Sequence, residues 1–144
     1  MTAVLGVDIG TQSVKAVVYD AEVKACLATT AAPLELHQTS DGVAEQRSEW
    51  WVTALQQALA QIDCKIRQRV SSIGVSGQQH GFVPLSHAGE VLAPVKLWCD
   101  TSTATECETI MAEFGGVDRC IEETGNPILP GYTASKVLWF KDLH

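Results

Sequence analysis

The sequence predicts an α/β domain whose mixed sheet is flanked by helices. Three strand-like runs near the start precede a segment of helical periodicity, which is followed by a further strand and then by helices. Strands on both sides of a helix are typical of a sheet that holds antiparallel and parallel pairs. The chain has 144 residues, the size of one ordinary domain, and 46% of them are apolar.

The first three strands are predicted to form an antiparallel meander. The runs 4–7, 14–19 and 24–30 are rich in small, apolar and β-branched residues, and short polar turns separate them. Residues 33–42 are predicted to form a loop, because their apolar residues follow neither the alternation of a strand nor the spacing of a helix. A later apolar run, 71–77, ends in glycine and predicts a strand that is buried.

Helical segments and one further pair of strands are predicted in the rest of the chain. Ser48 is the expected N-cap of an amphipathic helix whose apolar stripe runs from Trp51 to Ile66. Two strand-like runs, 82–86 and 90–98, adjoin a turn, and their prolines are typical of strand ends. Three further helices are predicted at 101–114, 117–124 and 133–143.

Composition excludes several classes of function. The net charge of −7 argues against general binding of nucleic acid, because there is no basic face to neutralise phosphates. No apolar run reaches ~18 residues, so no membrane span is expected, and the N-terminus does not resemble a signal peptide. The five cysteines are odd in number and lack a Cys-x-x-Cys pair, which favours a reduced, cytoplasmic protein over a zinc or disulfide framework.

The stretch "LGVDIGTQSVKAVVYD" places an acid and a turn of small residues between two strands. Asp8 ends the first strand with a carboxylate suited to a hydrated Mg²⁺, and the turn offers hydroxyl and backbone N–H groups to phosphate oxygens. A plain hairpin with an exposed acid is the alternative. The candidate phosphate-binding residues are Gly10, Thr11, Gln12, Ser13 and Lys15.

Two further motifs carry polar side chains at strand ends. "GVSGQQHG" presents Gln78, Gln79 and His80, whose amide and imidazole groups suit a ligand with many hydroxyls. "KLWCDTST" adds Trp98 as an apolar wall and Asp100 as an acceptor for sugar hydroxyls. The alternatives are a histidine that merely ends a strand and an N-cap for the next helix, supplied by Asp100 or by a nearby threonine or serine.

These motifs, in this order, resemble the N-terminal part of the FGGY carbohydrate kinases, and within that family the bacterial members that phosphorylate D-xylulose. The resemblance rests on "GVDIGTQSVKAVVYD", "VAEQRSEWW", "SIGVSGQQHGFVPLSHAGEVLAPVKLWCDTST" and "GNPILPGYTASKVLW", and it covers nearly the whole chain. It implies an actin-like ATPase fold, in which two ribonuclease-H-like domains face a cleft. Residues 1–144 are then the N-terminal sugar-binding domain, truncated and without the C-terminal nucleotide-binding domain.

The resemblance implies ATP-dependent phosphorylation of a ketopentose, D-xylulose to D-xylulose 5-phosphate, in pentose catabolism. ATP and Mg²⁺ are the implied cofactors, with Asp8 at the magnesium and phosphate site, the turn from Gly10 to Ser13 facing the transferring phosphate, and Lys15 as its basic residue. Gln79 and His80 match the sugar site, as does Asp100. Many relatives carry an arginine where Ser102 stands, so an anchoring guanidinium is absent here.

The family's general base is an aspartate that lies beyond residue 144, so the chain alone is predicted to be inactive as a kinase. The alternatives are a kinase for gluconate, ribulose or glycerol, and a non-catalytic actin-like domain that senses a sugar. No motif indicates an oligomeric state, and a homodimer stays open because dimers are common among such kinases.

Overall fold

The computed structural model describes residues 3–143, and contacts divide them into two compact units. One unit holds the described residues up to 36 together with 47–78; the other holds 37–46 and the described residues from 79 onward. The strands are β1 (Ala3–Ile9), β2 (Ser13–Asp20), β3 (Ala25–Pro33), β4 (His37–Gln38), β5 (Ala44–Gln46), β6 (Val70–Gly77) and β7 (Val95–Lys96). The helices are α1 (Ser48–Ala60), α2 (Cys64–Arg67), α3 (Ala104–Glu113), α4 (Val117–Thr124) and α5 (Thr133–Leu143).

The first unit is built on a sheet with the strand order β3-β2-β1-β6. β1 pairs with β2 and β2 with β3 in antiparallel fashion, whereas β1 pairs with β6 in parallel. The predicted meander and the predicted mixed sheet are therefore confirmed. Alternate side chains of β1 and β2 are buried because the pleat turns every second residue to one face. The core of this unit comprises Ala3, Leu5, Val7, Val14, Ala16, Val18, Ala32, Ala54, Ala58 and Ile62.

The prediction that residues 71–77 form a buried strand is correct for the strand and wrong for its burial. β6 lies at the edge of the sheet, and Ile73 and Val75 are 65% and 69% exposed. Their register partners on β1 are Leu5 and Val7, so they share the core face. α1 packs mainly against β2 and β3, and in the described part of the chain it leaves this end of the core face uncovered.

The helical stripe predicted from Trp51 to Ile66 is divided between two helices. α1 ends at Ala60, and Asp63 begins α2 by accepting a hydrogen bond from the backbone N–H of Lys65 at 2.8 Å. Ile66 therefore lies on α2. The predicted N-cap is displaced by one residue as well, because Arg47 holds the extended N-cap position and Ser48 is already helical.

In its described residues, the second unit has little sheet and three helices. β4, β5 and β7 form a small antiparallel sheet, so the predicted loop at 33–42 contains a short strand. The strand pair predicted at 82–98 is reduced to β7 and two isolated bridges, since Pro84 and Pro94 lack the N–H that a ladder needs. α3 contacts both α4 and α5, and a left-handed Gly125 ends α4. Among residues 3–143, no helix has both the length and the apolar character needed to cross a membrane.

Candidate functional site

The predicted phosphate turn lies at the tip of the β1–β2 hairpin. Its closure is a hydrogen bond in which the Gly10 N–H donates to the Ser13 carbonyl at 3.1 Å. A Cβ on Gly10 would lie 3.2 Å from that carbonyl oxygen, so a larger residue would press on the turn itself. Asp8 and Lys15 are both exposed and lie opposite each other across the two strands. The hairpin interpretation is thus correct, and the phosphate role of its tip stays a prediction.

Gln78 contacts this turn through its side chain and its backbone. The Thr11 hydroxyl donates to Gln78 Oε1 at 3.2 Å, and the Gln78 N–H donates to the Ile9 carbonyl at 3.0 Å. The boundary between the units falls between Gln78 and Gln79. The sequence motif grouped Gln78 with the sugar-site residues. Its side chain contacts the candidate phosphate turn, and its role toward a sugar stays a prediction.

The donor set around Asp8 suits magnesium that arrives with a phosphate. Within residues 3–143 there is no group of three or more His, Cys, Asp or Glu side chains that could hold a metal ion. Mg²⁺ commonly binds one or two carboxylates and completes its shell with phosphate oxygens and water. A single exposed carboxylate beside a turn of N–H and hydroxyl groups fits that requirement.

His80 is held in a left-handed conformation in the second unit, with φ of 57°. Its ring centroid is 4.9 Å from that of Tyr132, and its carbonyl accepts a hydrogen bond from Lys136 Nζ at 3.0 Å. His80 and the neighbouring Gln79 are exposed. Sequence reasoning did not identify Tyr132, since one tyrosine in a Pro/Gly turn carries no periodic signal.

Trp98 presents its side chain at the surface, beside the turn that precedes α5. It is 52% exposed, and a Cβ built on Gly131 would lie only 2.8 Å from the Trp98 carbonyl oxygen. The turn before α5 therefore passes against the Trp98 backbone so closely that Gly131 must lack a side chain. His80, Trp98 and Tyr132 are all parts of irregular segments of this unit.

Asp100 is fully buried and both of its carboxylate oxygens accept hydrogen bonds. Oδ2 accepts from the Ala44 N–H at 2.8 Å and from Lys96 Nζ at 3.2 Å, while Oδ1 accepts from the N–H and hydroxyl of Ser102 at 3.1 and 2.7 Å. Thr103 is the N-cap of α3, so the helix-cap alternative is correct for this nearby threonine and not for Asp100. Direct contact of Asp100 with a sugar stays a prediction.

Lys96 is the cation at the centre of this buried group. Its Nζ also lies 3.0 Å from Glu45 Oε1 and 2.8 Å from the Ser102 hydroxyl, and it sits 4.3 Å from the centroid of the Trp139 ring. Sequence reasoning missed Lys96 and Glu45. The available signal was a lysine inside the apolar run "PVKLW", because a charge at such a position needs buried partners.

Solved structures of sugar kinases with an actin-like ATPase fold match nearly the whole of this chain. The chain belongs to the FGGY family of carbohydrate kinases, because the sequence profile of that family's N-terminal domain matches residues 3–144. The family resemblance and the fold class predicted from the sequence are therefore confirmed.

Sugar kinases match nearly the whole of this chain, whereas the chain spans less than a third of each of them. The chain is 43% identical to a xylulose kinase of Haemophilus influenzae over 145 aligned residues, which are 95% of the chain and 29% of that protein. The crystal structure of a xylulose kinase from Bifidobacterium adolescentis matches 96% of the chain with a TM-score of 0.77 and 31% identity. That of a gluconate kinase from Lactobacillus acidophilus matches 98% with a TM-score of 0.81 and 26% identity. The chain spans 29% and 28% of these two solved chains.

Proposed function

We propose that this chain is the N-terminal, sugar-binding part of an ATP-dependent kinase that converts D-xylulose to D-xylulose 5-phosphate in the cytoplasm. The observation that carries the proposal is the family match over residues 3–144, together with 43% identity to a xylulose kinase. The two groups of polar residues support it chemically, since phosphoryl transfer requires one site for phosphate and one for the acceptor hydroxyl.

In the proposed reaction, the hairpin tip serves the phosphate. Asp8 binds Mg²⁺ through water, and the metal supplies neutralisation of phosphate charge when it is bound. The N–H and hydroxyl groups of the turn orient phosphate oxygens, and Lys15 adds a positive charge. The Thr11–Gln78 hydrogen bond, 3.2 Å long, holds the turn in one conformation.

The second unit is proposed to bind the sugar. Gln79 and His80 offer hydrogen-bonding groups to hydroxyls, and the exposed Trp98 ring offers an apolar wall. Asp100 is the predicted acceptor for a sugar hydroxyl, although its oxygens already accept hydrogen bonds from Ala44, Lys96 and Ser102. The general base and the adenine site are proposed to lie outside this chain.

A second candidate is the phosphorylation of another sugar or polyol, such as gluconate, ribulose or glycerol. The observation behind it is the gluconate kinase structure, which matches 98% of the chain with a TM-score of 0.81. Shared architecture does not by itself set the substrate, because specificity depends on a few side chains in the sugar site. The lower identity of 26% places this candidate second.

The test is a sugar panel with the product of the complete gene. ADP release is measured by a coupled assay with D-xylulose, D-ribulose, D-gluconate and glycerol, and we expect the highest kcat/KM for D-xylulose. A higher kcat/KM for one of the others would replace the substrate. Binding of D-xylulose without ADP release, measured by calorimetry, would favour a non-catalytic sugar sensor.

A further inference from the structure

Lys136 on α5 is fully buried, and its ammonium group binds three backbone carbonyls. Nζ donates to the carbonyls of His80 at 3.0 Å, Leu97 at 2.7 Å and Gly131 at 3.0 Å. A lysine ammonium has three N–H donors, so these contacts use all of them. The arrangement therefore requires the protonated amine, since a neutral amine has only two donors.

The three carbonyls belong to the three irregular segments that carry the candidate sugar-site side chains. His80 is itself one of these residues, Leu97 directly precedes Trp98, and Gly131 directly precedes Tyr132. The Tyr132 ring contacts the His80 ring with a centroid distance of 4.9 Å. One buried cation thus connects every segment that presents an aromatic or imidazole group of this candidate site.

The contact with His80 is the most informative of the three. A left-handed conformation is uncommon for a residue with a Cβ and persists only where its surroundings hold it. The bond from Lys136 to the carbonyl of His80 fixes the peptide group that follows this residue. Loss of that bond would allow His80 to return to an ordinary backbone conformation and to turn its imidazole away.

A purely space-filling role explains this lysine poorly. Burial of an ammonium is costly, and an apolar side chain of similar length would fill the same volume without that cost. Burial lowers the pKa of Lys136, while the charge of Asp100 opposes that shift. Lys136 therefore occupies a position where burial disfavours its charge. Its hydrogen bonds to three carbonyls explain why a lysine stands there.

We propose that Lys136 is a positioning residue for sugar binding: it fixes the backbones of His80, Leu97 and Gly131 and thereby sets the arrangement of His80, Trp98 and Tyr132 that receives the sugar. This inference rests on the proposed function, because it names the residue that organises that same site. Lys136 does not itself contact the sugar.

The first test compares Lys136→Met with Lys141→Met in the complete gene product. Lys141 is an exposed lysine of the same helix, so its replacement controls for loss of one charge. We expect Lys136→Met to raise the KM for the sugar about tenfold or more, because three hydrogen bonds that hold the site are lost. The KM for ATP should stay unchanged. A lower melting temperature and lower active fraction with an unchanged sugar KM would contradict the proposal.

A second test covers the case in which Lys136→Met does not fold. The sugar KM of the unsubstituted enzyme is measured as pH rises toward the lysine range, and we expect it to increase below the usual lysine pKa of ~10.4, because the neutral amine loses a donor. The charged and titratable groups that face Lys136 are Lys96, Cys99, Asp100 and Cys107. Cys99→Ala and Cys107→Ala variants remove the thiols that titrate nearby, and an unchanged sugar KM across this range would overturn the inference.

A crystal structure separates this inference from the proposed function. Lys136→Met is expected to release His80 from its left-handed conformation, which does not depend on the identity of the sugar. If the unsubstituted enzyme phosphorylates none of the sugars tested, the proposed function fails, and an altered His80 would still support the positioning role. An unaltered His80 in an active enzyme would contradict the positioning role alone.

Discussion

Replacement of Asp100 by asparagine tests whether this acid maintains the fold or binds the sugar. Its carboxylate is fully buried and accepts four hydrogen bonds, from the Ala44 N–H, Lys96 Nζ and the N–H and hydroxyl of Ser102. An asparagine has the same shape, but its NH₂ group cannot accept a hydrogen bond. At least one of these donors therefore loses its partner, and Lys96 loses one of its two anions.

The expected cost follows from the burial of this ion pair. Removal of one partner from a buried pair costs about 3–5 kcal/mol, because the remaining charge stays buried without compensation. Glu45 still neutralises Lys96 at 3.0 Å, which places the expectation for Asp100→Asn at the lower limit, about 3 kcal/mol. That free energy corresponds to about a hundredfold change in a local opening equilibrium.

Hydrogen exchange of the Ala44 amide is the appropriate assay, because this N–H binds Asp100 directly at 2.8 Å. We expect it to exchange about a hundredfold faster in Asp100→Asn, if exchange follows local opening. Glu45→Gln is the matched control: the Glu45 side chain is 18% exposed, and an amide oxygen can still accept from Lys96, so a change of about 1 kcal/mol or less is expected.

Coupling to Lys96 completes this test. In the double variant Asp100→Asn with Lys96→Met, the cost should be smaller than the sum of the two single costs, because the second change removes the uncompensated charge. Additive costs would contradict the ion-pair argument. An unchanged Ala44 exchange rate together with a raised sugar KM would show instead that Asp100 is a sugar ligand.

Three further predictions concern separate parts of the chain. In the complete gene product, Asp8→Ala should lower turnover ~10²-fold or more while sugar binding by calorimetry changes little; near-normal turnover would reject the magnesium assignment. Gly131→Ala should weaken sugar binding and lower the melting temperature, because its Cβ would lie 2.8 Å from the Trp98 carbonyl oxygen, whereas Gly74→Ala has open space and serves as the control. Burial raises the pKa of the Cys107 thiol in the folded protein. The unfolded chain therefore loses this proton at a lower pH than the folded protein does. The free energy of unfolding should fall once the pH exceeds the ordinary thiol pKa of ~8.5. The melting temperature should decline less steeply with rising pH for Cys107→Ala than for the unsubstituted protein. Equal declines in the two proteins would exclude the thiol as the cause.

Signals within one contiguous segment were sufficient to predict most elements. The helix predicted at 117–124 is α4 with the same bounds, and the helix predicted at 133–143 is α5. In both cases periodicity and the neighbouring glycine or proline turn act within a few residues. The hairpin that carries Asp8 was predicted for the same reason, because its two strands and its turn are adjacent in the sequence.

Burial was predicted less well because it depends on what packs against an element. The apolar composition of β6 indicated a buried strand, yet Ile73 and Val75 are exposed in the described residues. Composition shows that a strand tolerates burial, but only the position of α1 over β2 and β3 shows which part of the sheet is covered. Asp100 illustrates the converse. The sequence predicts that this acid contacts a ligand, yet it is fully buried, whereas Ile73 and Val75 are exposed.

Lys136 shows why positioning residues escape sequence reasoning. In "TASKVLWF" the apolar residues direct attention to Val137, Leu138 and Phe140, yet Val137 is 50% exposed while Lys136 is fully buried. Hydrophobic periodicity assigns a lysine to the surface, and only its acceptors explain its burial. Those acceptors lie 56, 39 and 5 residues away along the chain, so no local window contains all three. A buried cation whose partners are all loop carbonyls can be recognised only after the loops have been placed. Lys136 lies within "GNPILPGYTASKVLW", but nothing in that stretch distinguishes it from an exposed lysine.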